Sequence, residues 1–131
     1  MFNSPAEVET TQAEFLKELL REEAVAAKIR DANVSFVLSY SDPTCSIHVD
    51  CVPSPAVVSF SSGEQSGDVE LKMSAENGHL MWLGELNMMG AMARRKIKVK
   101  GNAAKMMGLL PMMSMATPRY REFCQQRGMA V

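Results

Sequence analysis

Residues Gly84–Asn102 read GELNMMGAMARRKIKVKGN, two unlike halves joined at Ala93. The first half, Leu86 to Ala93, carries Met88, Met89 and Met92 and predicts a short apolar helix. The second alternates, with Arg94, Lys96, Lys98 and Lys100 on one side and Arg95, Ile97 and Val99 on the other. A period of two predicts a strand with one buried face and one basic, solvated face. Gly101-Asn102 ends that strand, and Asn102 can cap a following helix.

Upstream, Val34, Phe36, Leu38 and Tyr40 alternate with small polar residues, and so do Cys45, Ile47, Val49 and Cys51. Ser41-Asp42-Pro43-Thr44 between them is turn chemistry, so the pair predicts a hairpin. Pro53 and Pro55 stop its second strand. Val58 and Phe60 mark a third strand, and Val69, Leu71 and Met73 a fourth, beyond a loop at Ser62–Gly67. Four successive strands predict an antiparallel meander. Before them, residues 1–10 read as a loose lead-in. Thr11-Gln12-Ala13-Glu14 matches a capping box opening a helix to about Arg30, with Phe15, Leu19, Ala26 and Ile29 at helical spacing.

Downstream of the fourth strand, Ser74 can cap a helix through Leu83 that stops at Gly84, weakened by Gly78 inside it. Strand, two helices and the basic strand then form a crossover. Ala103–Leu110 predicts a helix that Pro111 interrupts, and Thr117-Pro118 opens a last helix carrying Tyr120, Phe123 and Cys124, ended by Gly128. There is no internal repeat or linker, so 1–131 reads as one domain.

The composition is ordinary, 47% hydrophobic and 22% charged with a net charge of −1, which argues against a duplex-binding protein. No apolar run approaches the ~20 residues of a membrane span. The polar N-terminus lacks a signal core, and three cysteines at unmotivated spacing fit a reducing compartment, so a cytoplasmic protein is expected. Methionine is the outlier: twelve in all, nine of them between Met81 and Met115. Flexible thioethers fill irregular space and accept varied partners, so this density predicts an adaptable apolar cavity.

Val69-Glu70-Leu71-Lys72-Met73-Ser74, then Leu83-Gly84-Glu85-Leu86-Asn87, then Lys96-Ile97-Lys98-Val99-Lys100-Gly101-Asn102 follow in an order and spacing that resembles the sterol-binding domain family of sterol carrier protein 2, in its stand-alone bacterial-type form. The resemblance covers about Val34 to Leu110. It implies an α/β fold: a five-stranded mixed sheet with helices on one face and an apolar tunnel between. It also implies binding of a fatty acid, fatty acyl-CoA, sterol or phospholipid, with 111–131 as a candidate C-terminal lid.

On that basis the expected tunnel lining is Trp82, Leu83, Leu86, Met89, Met92, Met106, Met107, Leu110, Met112, Met113 and Met115. Arg94, Lys96, Lys98 and Lys100 are the expected contacts to anionic headgroups or a membrane surface. Burying ~12 methylenes yields roughly 10 kcal/mol gross, against an association cost on the order of 4–15 kcal/mol. Micromolar, exchangeable binding follows, which suits a carrier. Cys45-x-x-His48-x-x-Cys51 looks metal-like, but on a strand His48 points away from both cysteines, so no metal is expected. No acid–His–nucleophile set is visible; no catalytic residue and no cofactor are assigned. The alternatives are an accessory protein presenting a quinone or polyketide to a partner enzyme, and a small enzyme working through His79 or Cys124. Nucleic acid is not an expected partner, since no aromatic residues interleave the lysines.

Overall fold

The computed structural model describes residues 2–51 and 56–129. Five strands form one mixed sheet: β1 (Ser35–Ser41), β2 (Cys45–Asp50), β3 (Val57–Ser61), β4 (Val69–Ser74) and β5 (Lys98–Gly101), in the spatial order β3-β2-β1-β4-β5. The helices are α1 (Pro5–Val8), α2 (Glu14–Leu19), α3 (Glu23–Ala32), α4 (Ala75–Leu83), α5 (Met88–Ala93), α6 (Ala103–Gly108) and α7 (Leu110–Gln126), with a π-helical turn at Glu9–Ala13 joining the first two. The helices pack on one face, where Phe36, Leu38, Tyr40, Ile47, Val49, Val69, Leu71 and Met73 are all buried. The α/β class and the five-stranded mixed sheet are as expected.

The meander is not. The hairpin forms, with Phe36 opposite Val49 and Tyr40 opposite Cys45. β3 adds antiparallel to β2. But β4 crosses to the far side of β1 and pairs with it in parallel, Leu38 against Leu71. Alternation within a strand shows which residues face the core, not which strand lies next door. Burial explains the choice: β4 buries Val69, Leu71 and Met73, while no residue of β3 is buried. The richer apolar face takes the centre. Gly63 and Gln65 pass over the outer face on the way, held by Ser46 Oγ donating to the Gly63 carbonyl at 2.7 Å and by Gln65 Nε2 donating to the Ser59 carbonyl at 3.2 Å. β5 returns antiparallel to β4, Lys98 against Lys72 and Val99 against Leu71, so the β4-to-β5 connection is no parallel crossover.

The basic strand is shorter than its pattern. Periodicity suggests Arg94–Lys100, yet β5 starts at Lys98. Helix α5 closes first: Arg95 adopts φ 61°, its N–H donates to the Met92 carbonyl at 3.1 Å, and the Lys96 N–H donates to the Ala91 carbonyl at 2.8 Å. That is a Schellman closure, with arginine where glycine is usual. A helix end has carbonyls to satisfy, and the chain turns to satisfy them before it can extend.

The N-terminus also differs. Residues 1–10 are not a loose lead-in: Ser4 caps α1, Pro5 sits in its first turn and Val8 is fully buried. Thr11 is therefore inside the helical run, buried, rather than an N-cap. Ser-Pro is the stronger start because the proline lacks the N–H that a first turn would leave idle. The run also breaks at Leu20–Glu22 instead of continuing to Arg30. The proposed strand stops Pro53 and Pro55 lie outside the described residues.

At the other end, Pro118 does not open a last helix. It lies within α7, a continuous run from Leu110 with Pro111 in its first turn. Pro118 removes a bond to the Ser114 carbonyl, but Ser114 is exposed, so water can take that place. Buried Met112, Ala116, Tyr120, Phe123 and Cys124 hold α7 on the core.

Gly78, a weakness in α4 by propensity, is required by packing. A Cβ there would meet the Tyr40 ring at 2.6 Å. Gly78→Ala gains ~1 kcal/mol of helix propensity but overpacks a rigid buried ring, at a cost of ~1–3 kcal/mol. The expected result is net destabilisation in urea unfolding. A stabilised variant would show that α4 can lift off β1 at little cost.

Candidate functional site

An aromatic set lies in the core between sheet and helices, among aliphatic side chains. Phe15 of α2 is the hub: its ring lies 4.8 Å from Tyr120, 5.6 Å from Phe123 and 6.0 Å from Trp82, all edge to face. Such pairs add ~0.5–1.5 kcal/mol each beyond area burial. Several polar side chains inside are paired. The Tyr40 hydroxyl meets Gln12 Oε1, and Gln12 Nε2 donates to the Ala75 carbonyl at 3.3 Å. His79 Nδ1 lies 2.7 Å from the Tyr120 hydroxyl. Burial pushes both tyrosine hydroxyls far above their ordinary range. Clefts that open to solvent flank this layer, one of them lined by Phe15, Leu19, Arg119 and Phe123.

The expected lining residues separate by depth. Trp82, Leu83, Met106 and Met112 are buried among the core residues. Leu86, Met92, Met113 and Met115 are half-buried against it, and Leu110 is half-buried. Met89 is 67% exposed and Met107 56% exposed. Asn87 starts α5 by accepting from the Gly90 N–H at 3.0 Å, yet only Ala91 of that helix is buried. Beside it, Met92, Ile97 and Val99 line an open crevice of about 370 Å³, shared with Arg95 and Lys98. That volume is within the range of small-molecule sites. The methionine-bearing helix is therefore the loosest part of the helical layer, with an apolar crevice at its foot.

Of the basic residues, Lys98 and Lys100 stand on the outer face of β5, opposite Lys72 and Glu70. Arg94 and Lys96 precede the strand and are exposed. Arg95, which strict alternation put on the buried side, is exposed as well, because the α5 closure reorients it. The crevice role of Ile97 and Val99 was not foreseen, although their burial was legible in the alternation.

The groups considered for catalysis are sequestered. His79 is buried between the Phe2 and Tyr120 rings. Burial pushes the Cys45 thiol up to about 11, the Cys51 thiol up to about 12, and Cys124 upward too. At neutral pH all three are protonated and poor nucleophiles. Cys45 and Cys51 lie on the core face and His48 on the opposite one, so these three do not converge on a metal.

The model of the SCP-2 sterol transfer family matches residues 11–114. The chain belongs to that family. No curated protein matches it in sequence. Similar solved structures agree on the fold. Sterol carrier protein 2 from Yarrowia lipolytica, in its apo form, shares 21% identity at a TM-score of 0.63, over 80% of this chain and 88% of that one. A conserved protein from Thermus thermophilus superposes at 0.67 with 16% identity, over 94% and 90%. A UbiJ-SCP2 ubiquinone synthesis protein superposes at 0.58 with 14% identity, over 88% and 95%. At these identities the shared property is the SCP-2 architecture: mixed sheet, helices on one face.

Proposed function

We propose that this SCP-2 family member binds and transfers a lipid without chemistry, taking a fatty acid, fatty acyl-CoA, sterol or phospholipid at the edge where α5 meets β5. One observation carries the reading: an open crevice is lined by Met92, Ile97 and Val99, and two further methionines, Met89 of the same helix as Met92 and Met107 of α6, are held in water. Burying one such side chain yields ~1.5–3 kcal/mol, so an apolar ligand has something to gain there. Buried His79 and the protonated thiols favour binding over catalysis. Arg94, Lys96, Lys98 and Lys100 supply contact to anionic headgroups at ~1 kcal/mol each. A cytoplasmic setting is part of the proposal, and three free cysteines support it.

Delipidated protein is expected to take up a fluorescent fatty acid with 1:1 stoichiometry. The double substitution Met89→Gln, Met107→Gln should weaken uptake roughly tenfold. Unfolding stability should stay within ~0.5 kcal/mol per site, since exposed positions carry little folding energy. Absence of saturable uptake of fatty acid, acyl-CoA and sterol alike would end this reading. The exposed methionines also support presentation of a lipophilic intermediate to a partner enzyme, and co-purification that the double variant abolishes would favour that form.

A further inference from the structure

The outer face of the sheet, away from the helices, holds a second cleft of about 330 Å³. Ser39, Lys72 and Lys98 stand in register across β1, β4 and β5, and Ser41 lies opposite Ser74 two residues further along. All five line the cleft. Arg95 and Lys96 line it too, although in a continuous strand neighbours would face opposite sides of the sheet. The Schellman closure of α5 is what brings both to one place.

The charge there is lopsided. Among the described residues, Lys72, Arg95, Lys96 and Lys98 face one carboxylate, Glu64, which arrives with the segment crossing from β3 to β4. Glu70 holds the Lys72 ammonium at 3.7 Å from outside the cleft. The Ser74 hydroxyl oxygen already accepts from the Asn77 N–H, leaving its proton to donate. Ser39 and Ser41 add two more hydroxyls. A guanidinium fork, three ammonium groups and three hydroxyls offer many donors at close range, more than one carboxylate can accept. A phosphate monoester carries about −1.5 to −2 charge and three strong acceptor oxygens, which matches that supply. The Tyr40 ring is turned into the core toward Gln12, so among the described residues the cleft offers no exposed aromatic platform for a nucleic-acid base.

We infer that this outer-face cleft is a binding site for a phosphate monoester or diphosphate group. It borders the apolar crevice, since Arg95 and Lys98 line both. The phosphate can thus be free in solution or belong to a lipid. The inference does not rest on the lipid reading, because a ligand with no tail tests it.

The test is an NMR titration of ¹⁵N-labelled protein with sodium pyrophosphate at fixed ionic strength. Saturable shifts are expected at the amides of Lys72, Arg95, Lys96 and Lys98. Arg95→Gln and Lys98→Gln should each weaken binding roughly tenfold, as loss of a charge-assisted bond does. Glu64→Gln should tighten it a few-fold, a gain that misfolding cannot imitate. A parallel flotation assay uses phosphatidylcholine vesicles with and without phosphatidic acid. Capture by phosphatidic acid that pyrophosphate competes away supports the site with a lipid-borne phosphate; pyrophosphate binding without capture supports it with a soluble one. Shifts that never saturate and are reproduced by chloride, or an affinity that none of the three substitutions alters, overturn it. Fatty-acid uptake measured on the same samples reports on the apolar crevice separately.

Discussion

Trp82→Ala should lower the unfolding free energy by ~3–5 kcal/mol, the usual cost of deleting a large buried aromatic. Trp82 is 1% exposed, lies deep in α4, and meets the edge of the Phe15 ring. Few nearby side chains can move to close the hole. Tyr120 is fully buried and tied to His79, and Phe15 is pinned by three aromatic neighbours. Against the ~5–15 kcal/mol that stabilises a typical domain, this is a large fraction, worth ~10–20 °C in melting temperature. Circular dichroism melts with urea titrations give the number. Because this is the chain's one tryptophan, its quenching by acrylamide in the parent protein provides an independent check. A loss under ~1 kcal/mol together with ready quenching would mean that the indole borders open space.

Gly101→Ala should be nearly as damaging, by ~3 kcal/mol or more, for a different reason. At φ 103° the residue occupies a region that a side chain rarely enters, and a Cβ would lie 2.1 Å from the Asp68 carbonyl oxygen. Strain and overpacking each cost on the order of 1–3 kcal/mol. Relief requires moving backbone, not a flexible tip. The Asp68 carbonyl also accepts from the Asn102 N–H at 3.3 Å, and its carboxylate holds the Ser35 N–H and Lys105. The substitution therefore pries β5 and the start of α6 away from β4. Hydrogen exchange should show the β5 amides losing protection before those of β1. Uniform protection with unchanged stability would contradict the register at this corner.

Much of the fold was legible because local signals pointed the same way. Ser74 and Asn102 cap the helices they were read to cap, each accepting from a backbone N–H three residues on, and Asn87, not read as a cap, does the same for α5. Gly84 closes α4 in the left-handed conformation. Alternation placed Leu71 and Ile47 on the core side, and both are buried. The misreadings share a cause: two local signals competed and only the three-dimensional context ranked them. Thr11 offered a cap, but Ser4-Pro5 offered a better one that lets Val8 reach the core. Arg94–Lys100 offered a strand, but the carbonyls ending α5 claimed Arg95 and Lys96 first. Thr117-Pro118 offered a helix start, but packing of Ala116 and Tyr120 on one face kept α7 whole.

The SCP-2 family, the core faces of β1, β2 and β4 and the caps at Ser74 and Asn102 were determined by residue order alone, because period, cap chemistry and motif spacing act over a few neighbours. The partner of each strand, the filling of the interior and the destination of the methionines were decided only in the tertiary structure. Those outcomes depend on which apolar faces compete for the same volume. Nine clustered thioethers predicted greasy space; in the fold they part by depth, with Met81, Met106 and Met112 buried and Met89 and Met107 exposed.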